Sequence, residues 1–150
     1  MSNNEQKMQH LEFIQNVITR MNTNSFQLKE LTILIITACM AIYASNTIPL
    51  MLLIPIIPTC ALWGLDTYYL QQERKFRSLY NDITNTTDKP IHTPKLYEIT
   101  IKPYTAEKNS MLSYWRVFFS PTIVLFYCPL IVILLVLFLL LQIKCIFVIL

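Results

Sequence analysis

The residues with chemical capability are few and lie far apart. His10 and His92 are separated by most of the chain, and neither belongs to a cluster of ligands of the kind a zinc site needs. A Ser or Cys nucleophile would have to borrow one of these histidines, and no motif supports such a pair. No Arg-x4–6-His motif of the ribonuclease kind is present. Cys39, Cys60, Cys128 and Cys145 all lie in apolar runs and form no Cys-x-x-Cys pair, so they read as free thiols rather than a disulfide framework. Gly64 is the only glycine. Dinucleotide folds and phosphate-binding loops need several, because backbone must approach phosphate closely. The expectation is therefore no catalytic residue, no metal, no cofactor and no enzyme. The net charge of +3 is too small to imply nucleic-acid binding.

Asp66 is the most informative single residue. It lies near the end of a long apolar run, where a carboxylate is costly unless paired or wetted. It could be solvated at an interface, paired with a base such as Arg74 or Arg116, or placed on a water-filled path. Asn46, Thr47, Thr59 and Gln142 are the other polar groups at such positions. Hydrogen bonding between helices accounts for most residues of this kind. Asp66, Asn46, Thr59, Arg74, Lys75 and Arg77 are the candidates for a pore or its mouth if several copies meet around an axis.

The elements that position these residues follow from charge segregation. Hydrophobic residues are 54% of the 150 and charged residues 14%, with a mean hydropathy of +0.45. Positions 31–65 and 117–143 carry no charged residue at all. A run of about 20 apolar residues crosses a bilayer core, and a chain this short cannot hide two such runs inside one soluble core. The expected class is an all-α integral membrane protein, with no cleavable signal peptide in its polar first 30 residues.

Four segments are expected. Residues 1–27 form a cytoplasmic amphipathic helix. The helical pattern runs over 5–28, where Leu11, Ile14, Ile18, Met21 and Leu28 make a seam, widened by Phe13, Val17 and Phe26. That face could lie on neighbouring helices, on the membrane surface or on another subunit. Residues 28–70 form a two-span hairpin turning at Ser45-Asn46-Thr47, with Pro49 opening the second span and Pro55 and Pro58 kinking it. The alternative for 31–65 is one long, tilted, kinked helix. Residues 71–116 form a cytoplasmic region. The second span enters it as a continuous helix to about Asp82, carrying Tyr69, Phe76 and Tyr80 at helical spacing. A loop follows, with a short strand at 96–101 and a helix near Met111 that Ser110 could cap. Residues 117–150 form the last span, punctuated by Pro121 and Pro129. Leu11, Ile14, Ile18, Met21, Tyr69, Phe76 and Tyr80 are the candidates for an oligomer interface.

Orientation follows from lysine and arginine near the spans. Arg20 and Lys29, then Arg74, Lys75 and Arg77, then Lys108 and Arg116 all fall on one side, which should be cytoplasmic. The N-terminus is then inside and the C-terminus outside. The Asn85-Thr86-Thr87 sequon would matter only on the outer side.

Several blocks carry a resemblance. His10 to Met21 with Asn24 to Lys29, the central block Trp63 to Leu70 with Gln72-Glu73-Arg74 and Phe76 to Tyr80, and Tyr114-Trp115-Arg116 before the last span resemble the RipA family of octameric membrane proteins. These blocks cover both ends and the middle, not 81–113. The resemblance implies a multi-pass bacterial inner-membrane protein that assembles with itself into a ring of eight. The family includes a pore-forming accessory protein of type VI-B CRISPR systems that aids antiviral defence, and a factor that intracellular pathogens need to replicate. A membrane pore is the leading expectation; the alternative is a scaffold or intracellular-replication factor that binds a cytoplasmic partner without ion flux. The expected partners are further copies of the chain, the lipid bilayer and a cytoplasmic defence protein.

Overall fold

The computed structural model describes the backbone of residues 3–46, 48–86, 90–95, 97–107 and 109–149, and side chains within these for residues 4–144. Thr47, Thr87, Leu96, Lys108 and the side chain of Cys145 lie outside the described residues.

The first helix, α1, runs over Asn3–Asn46, a 44-residue element with neither proline nor glycine in it. The expected amphipathic helix and first span are therefore one element. It stops where Ile48, extended at φ −85° and ψ 109°, precedes Pro49. A residue before proline is pushed out of the helical region by the pyrrolidine ring.

Pro49–Leu52 is a single 3-10 turn, and α2 spans Ile56–Thr84. This corrects the role assigned to two prolines. Pro55 and Pro58 do not kink a span; they open one. Pro55 precedes α2, with its carbonyl accepting from Thr59 N at 3.0 Å, and Pro58 sits in the first turn, where its missing N–H leaves no bond unmade. The break at 46–56 also excludes a single kinked helix over 31–65.

The end of α2 is closed without glycine. Asn85 adopts a left-handed φ of 52°. Thr86 N donates to Asn81 O at 3.0 Å and Asn85 N to Asp82 O at 3.4 Å, the paired bonds that satisfy the last carbonyls of a helix. Asparagine tolerates this conformation better than other non-glycine residues.

No strand occurs among the described residues, so of the strand expected at 96–101, residues 97–101 form none. Tyr97 has a left-handed φ of 63°, which breaks an extended run at its start. Glu98 folds the chain back, with Glu98 N bonding Lys95 O at 3.0 Å and its carboxylate accepting from Lys95 N at 2.9 Å. A second 3-10 turn covers Ser110–Leu112. Its cap is Asn109, whose side chain accepts from Met111 N, and not Ser110. The short α3 follows at Tyr114–Phe118, and α4 runs over Pro121–Ile149. Pro129 lies within α4, where one lost backbone bond is tolerated in an apolar span.

The chain divides into two compact units. The first comprises residues 1–26 and 67–118. Its core is Ile14, Ile18, Leu79, Tyr104 and Leu112, with Phe76, Tyr80, Ile83, Ile91 and Ile101 against it. Asp82, 5% exposed, organises the loop around that core. Its Oδ2 accepts from Ile91 N at 3.0 Å, His92 N at 3.1 Å and the Tyr104 hydroxyl at 3.0 Å. Burial, and then this bond to Asp82, hold the Tyr104 phenol above its ordinary range. The second unit comprises residues 27–66 and 119–150, in which the 3-10 turn Pro49–Leu52 packs on α4 and buries Leu52.

Three helical stretches are long and apolar enough to cross a membrane: Asn4–Asn46, Pro49–Thr84 and Pro121–Lys144. Only 11%, 28% and 17% of their apolar windows are buried by the chain itself, so lipid or neighbouring protein must cover the rest.

Asp82→Ala should strip three donors of a charged acceptor and destabilise the first unit by about 3 kcal/mol. Amide exchange at Ile91 and His92 should accelerate accordingly; protection equal to the parent would show that the loop is held by something else.

Candidate functional site: a buried ion pair among apolar helices

Lys29 on α1 and Asp66 on α2 form an ion pair at 2.6 Å, with side-chain exposures of 19% and 0%. Lys29 is the last cation before the apolar part of α1, and Asp66 the first charge after it. They therefore clasp the base of the hairpin. Each charge alone would cost roughly 2.5–3.5 kcal/mol deep in a bilayer; together they are neutral.

Other polar groups gather at this level. Thr32, one turn beyond Lys29, is fully buried and donates to Leu28 O at 2.8 Å. On α4, the fully buried Tyr127 brings its phenol beside Thr32 and Asp66. Its ring stacks on Trp63 of α2, with centroids 5.7 Å apart and planes 7° from parallel, within the range favoured by aromatic pairs. One layer thus joins α1, α2 and α4 within the second unit. Thr59, two turns before Asp66 on α2, is also fully buried, and its hydroxyl has no hydrogen-bond partner among the described residues.

The other sequence-derived candidates are dispersed. Asn46 is exposed at the end of α1, and Gln142 is exposed on α4. In the first unit, Arg74 reaches Met111 O at 3.4 Å, Arg77 pairs with Glu73 at 2.6 Å, and Lys75 is half-buried beside a groove. Of the interface candidates, Ile14 and Ile18 are buried by the chain's own core, and Phe76 and Tyr80 pack against it. Leu11, Met21 and Tyr69 are half-buried. The apolar residues that this part of α1 leaves outward are Met8, Phe13 and Phe26, at 72%, 53% and 62% exposed.

The two histidines, distant in sequence, meet through one residue. His10 accepts at Nδ1 from Tyr97 N at 3.3 Å and donates from Nε2 to Glu98 O at 3.1 Å. That arrangement selects the Nε2–H tautomer. His92 Nε2 lies 3.1 Å from Glu98 Oε1. The backbone N–H of Lys95, and then the His92 side chain, hold the Glu98 carboxyl below the usual carboxylate range. These bonds fix a loop. Among the described residues no group of three metal-ligating side chains comes together.

Sequence reasoning found Asp66 but not its partner. Lys29 was legible only as a flanking charge that sets orientation, and Tyr127 only as one aromatic in an apolar run. The available signal was that 31–65 has no charge and that a hairpin over it returns Asp66 to the level of the charged pair Lys29-Glu30, of which only Lys29 is of opposite sign.

The helices and this clasp define an all-helical, multi-pass membrane protein. No protein-family model, characterised protein or solved structure matches the chain.

Tyr127→Phe keeps the stack on Trp63 and should change the unfolding midpoint in detergent little. Tyr127→Ala removes it and should destabilise by about 3–5 kcal/mol. Equal effects of the two would show that the ring contributes nothing to the layer.

Proposed function

We propose that the protein is a non-enzymatic inner-membrane protein that assembles with copies of itself into a ring, of eight as the family resemblance implies, and that the ring encloses a pore acting in antiviral defence or membrane permeabilisation. The observation that carries self-association is the exposure of Met8 and Phe13. They belong to the first unit, in the charge-bearing stretch 23 and 18 residues before the uncharged run begins at Leu31. A neighbouring protein surface would cover them. The lysine and arginine flanks orient the N-terminus and residues 71–116 to the cytoplasm.

The ion pair favours a second reading. Lys29 already neutralises Asp66 inside one chain, so Asp66 serves assembly of the spans rather than ion selection. In that reading the ring is a scaffold for a cytoplasmic partner and passes no ions.

Native mass measurement of the full chain should give a discrete oligomer, and planar bilayers containing it should show discrete current steps. A monomeric mass would remove the ring, and a ring with no current at any voltage would leave the scaffold. Asp66→Asn separates the roles further: altered cation selectivity with the oligomer intact indicates a pore-lining carboxylate, whereas loss of the folded oligomer indicates a structural clasp.

A further inference from the structure

We propose that the groove between α2 and residues 101–106 is a binding site for the headgroup of an anionic phospholipid. Tyr68, Gln71, Gln72 and Lys75 line one wall, and Lys102 and Thr105 belong to the other, around a cavity of about 500 Å³. The α2 residues fall at spacings of 3, 1 and 3, which is one face of a helix. The floor is preformed: Tyr104 and Leu112 are 1% and 2% exposed, and the Gln71 amide is fixed by donating to Leu112 O at 2.8 Å. The Thr105 hydroxyl and the two ammonium groups supply donors.

The charge is of one sign. Lys75 and Lys102 both line the cavity and no carboxylate does; neither lysine has an acidic partner among the described residues. Two guanidinium groups converge on the adjoining 3-10 turn, Arg74 through Met111 O at 3.4 Å and Arg116 through Ser110 Oγ at 2.8 Å. Two lysines thus line one concavity, with two guanidinium groups on the adjoining turn, which is a composition suited to phosphate oxygens.

Position in the sequence assigns that phosphate to a lipid. Tyr68 stands three residues, and Lys75 ten, after the uncharged run 31–65 ends, and lysine side chains beside the end of an apolar span reach into the headgroup layer. Around the groove, Tyr68, Met111 and Trp115 are 50%, 52% and 67% exposed. Aromatic residues beside cations are the usual composition of a membrane–water boundary. This inference needs a membrane-embedded chain but neither a ring nor a pore.

The test uses the full chain in mild detergent, titrated with phosphatidylglycerol or phosphatidylcholine while bound lipid is counted by native mass measurement. Phosphatidylglycerol should be retained and phosphatidylcholine should not. Lys75→Gln with Lys102→Gln should weaken retention by about 25-fold, roughly fivefold for each lysine. Lys7→Gln with Lys95→Gln removes the same charge from a different cavity of the first unit and should leave retention unchanged. If the double groove variant misfolds by circular dichroism, Lys102→Gln alone, exposed and outside any helix, should still give the fivefold loss. Equal retention of both lipids, no loss in the groove variants, or an equal loss in the Lys7/Lys95 variant would overturn the proposal. So would displacement of phosphatidylglycerol by inorganic phosphate at matching concentration, which would make the ligand a soluble anion instead.

Discussion

The structure depends on keeping two opposite charges together where water is scarce. Lys29 lies one residue before Glu30 and the uncharged run 31–65, Asp66 directly after that run, and the hairpin that places them 2.6 Å apart is the arrangement that neutralises both. A slip of one residue on either helix rotates its side chain by about 100° and separates the pair. The pair therefore sets both the closure of the hairpin and its register. Apolar contacts alone would not, because lipid tails are as apolar as leucine and give neighbouring spans little hydrophobic reason to choose one register. The Trp63–Tyr127 stack and the buried Thr32 extend this control to α4, whose otherwise apolar surface carries little orienting information.

A similar economy governs the first unit. With a single glycine in the chain, tight reversals rest on side chains that replace backbone partners. Asn85 takes the left-handed position after α2, Asp82 holds two backbone N–H groups and a phenol, and Glu98 holds a turn while joining His10 and His92. The buried Ile14–Leu79–Leu112 cluster gives these polar contacts a surface to act on. The Asp82 contacts are shielded from water, where hydrogen bonds to a charged acceptor are worth most.

Much of the architecture was legible from charge and proline alone. The uncharged runs identify the apolar helices, the break near Asn46 separates the first two, and the unbroken passage from Trp63 to Tyr80 marks a continuous α2. Other features were masked by physical ambiguity. The seam Ile14–Ile18 has the spacing of an interface, but the same spacing faces Leu79 and Tyr104 of its own chain. The alternation at 96–101 suggests a strand, yet Tyr97 is left-handed and local bonds to Glu98 outcompete extension. Pro55 and Pro58 read as kinks only if the helix begins at Pro49; a start at Ile56 makes them a helix opening. The site itself was half legible: a lone Asp66 advertises a need for a partner, but only the fold identifies Lys29.

Lys29 and Asp66 act as one unit. A double-mutant cycle of Lys29→Met and Asp66→Leu, followed by reversible unfolding in detergent, tests it directly. Each single change should destabilise by about 3–5 kcal/mol by leaving one buried charge alone, and the double change should recover most of that loss. Single effects that simply add in the double variant would contradict the account, because the two residues would then be independent.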